Sequence, residues 1–159
     1  MASSLPYVTY IHSILRYFIL LFTVIVVIQC LVGMLGKKKF GKNNKITALL
    51  LLICCDLQLL LGIMLYTLGG WFHVLESPGV MRNTYSRFYA VEHSVGMIIA
   101  IILVHIGYSI GKKNIDDDRK FKRIFWSIFI ALAIFFATIP WQGRQVVGRP
   151  DMPTLSTHS

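Results

Sequence analysis

Residues 11–35 read IHSILRYFILLFTVIVVIQCLVGML, and the fold follows from this run. Its length, about 25 residues, carries an α-helix across ~30 Å of hydrocarbon. Arg16 is its only fixed charge. The run is apolar all the way round, whereas a helix on a soluble core keeps a polar face. β-branched residues crowd Thr23 to Val27. Lipid offers no partner to an open strand edge, so the run is expected to be helical.

Three more such blocks follow, at about residues 46–67, 88–110 and 124–141. They fill most of a 159-residue chain that is 55% hydrophobic and 14% charged. A soluble domain of this size could not hide so much apolar surface. The expectation is an all-α, integral membrane, up-down four-helix bundle forming one domain, because short loops make successive helices antiparallel neighbours. The longest loop, residues 68–87, contains Gly69-Gly70 and Ser77-Pro78-Gly79 and is expected to cap one end. Residues 142–159 form a polar tail. A cleavable signal peptide is not expected, since the first block is too long for one and no basic stretch precedes it.

The net charge of +9 is concentrated in two loops. Lys37, Lys38, Lys39, Lys42 and Lys45 occupy the first; Lys112, Lys113, Arg119, Lys120, Lys122 and Arg123 occupy the third. Basic residues between spans set orientation, so these loops are expected in the cytoplasm and both termini on the outer side. Tyr7, Tyr10, Trp71, Tyr85, Tyr89 and Trp141 then form an aromatic belt at the outer interface. Charges placed this way suit anionic lipid, and no nucleic-acid partner is expected. Cys30, Cys54 and Cys55 lie within apolar blocks, without the spacing of a zinc or c-type haem motif, and read as packing residues.

Ionisable groups inside spans are costly and point to function. His12 and His93 both stand near the outer ends of helices, the first and the third. Two neutral imidazoles on a bundle's interior are the usual grip on a b-type haem, so they are the expected axial ligands of the iron, with one haem per chain. Counted from the cytoplasmic lysines, the two differ in depth by about 9 Å. Met64 has a depth similar to His93 and offers a His/Met alternative. Arg16, one turn below His12, and Arg87, at the mouth of helix three, are expected partners for haem propionates; Arg16 could instead pair with Glu92 or snorkel outward. Gly62 and Gly96 are expected to give the porphyrin room. Asp56, Gln58, Glu92 and His105 are assigned to a proton or polar network, with Asp56 within reach of His105. Asp56 and Gln58 are about 200° apart around their helix and cannot share a face.

These residues fall into strings that together resemble a family. His12-Ser13-Ile14-Leu15-Arg16-Tyr17, Asp56-Leu57-Gln58-Leu59-Leu60-Leu61-Gly62, Arg87-Phe88 with Val91-Glu92-His93, His105-Ile106-Gly107 and Ile139-Pro140-Trp141 resemble the short bacterial four-helix membrane proteins described as cytochrome b-like. The likeness covers nearly the whole chain. It implies a multi-pass protein of the bacterial inner membrane that binds haem b and passes electrons near quinone. The chain is also loosely similar to the haem-bearing anchors of respiratory complexes, which carry two histidine pairs where this chain has one. The alternative expectation is a haem-free accessory subunit, held in a larger respiratory or membrane complex or in a homo-oligomer.

Overall fold

The structure is a computed structural model and describes residues 5–149; the rest of the expected tail lies outside the described residues. Helix α1 spans Leu5–Leu35 and α2 spans Lys42–Leu68. A short helix, α3, covers Trp71–Glu76. The third long rod, Thr84–Lys112, joins α4 (Thr84–Arg87), a π-helical turn (Phe88–Glu92) and α5 (His93–Lys112). Helix α6 runs Asp117–Thr138. Four of these rods are long and apolar enough to cross a membrane, and there is no strand among the described residues.

The spans extend past the apolar blocks where polar residues sustain a helix. Helix α6 starts at Asp117, seven residues before the apolar run begins at Ile124. Asp117 and Asp118 favour its positive N-terminus, and ion pairs Asp118–Lys122 (2.7 Å) and Asp117–Lys120 (3.8 Å) run along it. It stops at Thr138, short of Trp141, because Pro140 disfavours helical backbone in the residue before it; Ile139 is extended, with ψ 132°. Loop 68–87 turns at Gly70, whose φ of 70° is left-handed backbone that glycine adopts without strain. Helix α3 follows and lies against the third rod.

The helices form a ring: α1 packs on α2 and α6, and α5 packs on α2 and α6. Helices α1 and α5 therefore lie on one diagonal. Small residues let the rods approach. Phe121 fills the place a side chain at Gly33 would take, Ile128 that at Gly107, and Phe40 that at Gly111. Close backbone approach through small residues is the usual basis of helix association in lipid. The core holds Thr23, Cys30, Leu51, Cys55, Ala100, Val104 and Ile124, among others. Leu21, Ile28, Leu60, Ile63, Ile98, Ile102, Trp126 and Phe136 point outward, as a lipid-facing surface requires.

Candidate functional site

The site lies at the end of the bundle away from the lysine loops. His12 faces inward against α2: a Cβ placed on Gly62 would stand 3.6 Å from its Cε1, the nearest side-chain atom. Gln58, one turn deeper on α2, donates from Nε2 to the carbonyl of His12 at 3.0 Å. Tyr66, one turn shallower, donates to the carbonyl of Ala90 at 2.9 Å. One face of α2 thus joins α1 to the π turn, with Gly62 between the two hydrogen bonds.

That arrangement brings His12 and His93 level. Gly62 is four residues below Tyr66, and His93 three residues below Ala90, or about 6 and 4.5 Å. The lysine end explains why counting from the loops overstated the offset. Gly33 of α1 meets Phe121, whereas Gly111 of α5 meets Ile124, one turn nearer the site. Helix α1 reaches further toward the lysines, and its longer count from His12 is used up there.

His93 sits between α5 and α6, beside Phe88 and Tyr89, at ring-centroid distances of 6.0 and 6.3 Å. Its Nδ1 is 2.8 Å from the carbonyl of Thr138. A carbonyl only accepts, so Nδ1 carries the proton. A neutral imidazole then keeps its lone pair on Nε2, the tautomer a metal-ligating histidine needs. The π turn directly before His93 widens the helix by one residue; such turns occur often at functional sites. Ser94 donates across it to the carbonyl of Tyr89 at 3.0 Å.

The remaining expected residues separate into distinct groups. Arg16 is buried, donates to the Tyr17 hydroxyl at 3.1 Å, and lies 5.8 Å from the Trp141 ring. Arg87 binds Glu92 (2.6 Å) and the carbonyl of Met81 (3.1 Å), so Glu92 is taken by Arg87 and not by Arg16. At Gly96 a Cβ would collide with the Thr138 methyl; the absence of a side chain there admits α6. His105 and Asp56 pair at 2.8 Å, away from the histidine site. Met64 is exposed on the outer surface of α2. Asp56, Gln58, Glu92 and His105 accordingly make three separate contacts and no continuous chain.

No protein family, curated protein or solved structure matches the chain. Among the described residues, no three His, Cys, Asp or Glu side chains gather as a metal cage. Haem brings its own equatorial nitrogens and asks for two axial ligands, which His12 and His93 can supply. His12 Nδ1 and Gln58 Oε1 are buried without a hydrogen-bond partner among the described residues. An iron-ligating His12 needs an acceptor for one ring N–H, and Gln58, already bonded to its backbone, carries a spare one. The donor set fits a bis-histidine haem.

Sequence reasoning missed the lid over this site. Trp141 to Arg149 fold back over the π turn. Tyr89 donates to the carbonyl of Val147 at 2.6 Å, and Arg149 donates to the Tyr85 hydroxyl at 2.8 Å. Phe88, Tyr89 and Val147 form a small second core with Trp71 packed on it. Arg144 and Arg149 stand over the rings of Phe88 and Tyr89 at 4.8 and 4.4 Å. The cluster of aromatic residues near 71 and 85–89 was the available signal; the tail's polar composition concealed its half.

Proposed function

We propose that the chain is a membrane b-type cytochrome of the bacterial inner membrane, with His12 and His93 as axial ligands of one haem. The observation that carries this reading is the His93 Nδ1–Thr138 hydrogen bond, which fixes the tautomer and leaves Nε2 for a metal. The level placement of His12 on the diagonal helix supports it, as do the unmatched His12 Nδ1 and Gln58 Oε1. Haem, when bound, supplies a one-electron couple. The chain's part is to hold the imidazoles, exclude water through the Tyr89–Val147 lid, and keep positive charge from Arg16, Arg144 and Arg149 near the site. Arg16, buried one turn below His12, is assigned to a propionate, and Arg87 is bound to Glu92. Electron exchange with quinone belongs to the same proposal.

The tight fit of Gly96 against Thr138 and the closure of Arg87 on Glu92 favour a second reading, a haem-free accessory subunit of a larger membrane complex. A dithionite-minus-air absorbance spectrum of detergent-purified protein, expressed with haem supply, separates the two. The cytochrome gives a sharp reduced α-band that His12→Ala and His93→Ala each abolish. A flat wild-type spectrum in well-folded protein overturns it and leaves the accessory subunit.

A further inference from the structure

Asp56 and His105 meet on the outside of the bundle. Asp56 Oδ1 and His105 Nε2 are 2.8 Å apart across the α2–α5 seam, and their side chains are 46% and 49% exposed. Asp56 stands near the middle of the 27-residue α2. Ile53 and Leu60 on α2, and Ile102 and Ile106 on α5, surround the pair and are themselves exposed. A shallow groove of about 320 Å3 runs along α5 from Ile102 past His105 and Ser109 to Lys113. Ionisable groups at this depth ordinarily face protein or a water-filled cavity, because hydrocarbon solvates neither donor nor acceptor.

We propose that the α2–α5 face is the contact between two copies of this chain, related by a twofold axis beside the Asp56–His105 pair. Hydrogen-bond complementarity favours a second copy as the partner. Asp56 Oδ1 and His105 Nε2 share one hydrogen bond. That leaves His105 Nδ1 and Asp56 Oδ2, on half-exposed side chains, as one donor and one acceptor for a second hydrogen bond. A twofold-related copy presents the same two in reverse order, so each donor meets an acceptor, and the interface is isologous. A foreign helix would need a matching pair at the same depth; a second copy has one by symmetry. Neither His12 nor His93 takes part, so this inference stands whether or not the chain binds haem.

Full-length protein reconstituted in lipid vesicles tests it. Ser109→Cys is made with Cys54→Ala, and Phe129→Cys, on the outward face of α6, serves as control. Mild oxidation is expected to give a disulfide-linked dimer from Ser109→Cys and none from Phe129→Cys. Without cross-linking, energy transfer between labelled chains is expected to report a dimer. Asp56→Asn weakens its association constant about tenfold, since each substitution acts twice across the axis. The exchange Asp56→His with His105→Asp restores association, which a merely misfolded variant could not do. A monomeric wild type, cross-linking from Phe129→Cys alone, or an Asp56→Asn dimer as tight as wild type overturns the proposal.

Discussion

Gly96 shows how a residue legible in type is illegible in role. Its position one turn below His93 marked it as space for a porphyrin, and glycine is indeed required there, but the Thr138 side chain takes the space. Thr138 thereby sits against α5, and its carbonyl accepts the hydrogen bond from His93 Nδ1. Gly96→Ala is expected to destabilise the protein by about 1–3 kcal/mol, the usual cost of overpacking, read as a lower unfolding midpoint in detergent. Adding Thr138→Ser removes the offending methyl while keeping the hydroxyl that binds the Ile134 carbonyl. This pair is expected to recover most of the loss. Gly62 behaves differently, because its β-carbon would be in ordinary contact with His12 at 3.6 Å; Gly62→Ala is expected to leave the midpoint unchanged within about 0.5 kcal/mol.

At the scale of elements, the four spans were legible because length and hydrophobicity alone decide them in lipid. The π turn was not, since inserting one residue into a turn leaves no trace in an apolar pattern that has no polar face to break. The lid was hidden for a related reason. Its most buried hydrogen bond runs from the Tyr89 hydroxyl to the backbone carbonyl of Val147, and every residue type carries a carbonyl; the other runs from Arg149 on the tail to the Tyr85 hydroxyl. Val146 has a φ of 69°, unfavourable for a β-branched residue, and the neighbouring Val147 is buried against Phe88 and Tyr89. The Tyr89 hydroxyl is the bond most directly holding this segment down. Tyr89→Phe removes about 0.5–1.5 kcal/mol from the closed lid. Trypsin cleavage after Arg144 is therefore expected to accelerate about threefold to tenfold, because slow proteolysis follows the open population. An unchanged rate would show that Arg149–Tyr85 and the ring contacts hold the lid without it.

The whole molecule adds what neither residues nor helices reveal singly. Sequence order makes successive helices neighbours, but it does not say which pairs face each other across the middle; the ring order that puts α1 and α5 on one diagonal had to come from packing. Orientation rests on charge. The lysine-rich loops close one end of the bundle, and the histidines, the lid and the aromatic belt occupy the other. Because basic loops resist translocation, Asn83→Cys is expected to react with a membrane-impermeant maleimide on intact bacterial cells. Asn114→Cys, beside Lys112 and Lys113, is expected to react only after permeabilisation. Both are made with Cys54→Ala, and Cys30 and Cys55 are buried. The reverse labelling pattern would turn the molecule over and place His12 and His93 near the cytoplasm. An electron partner would then have to be sought on that side, and the lid formed by Trp141 to Arg149 would guard the site against cytoplasmic water.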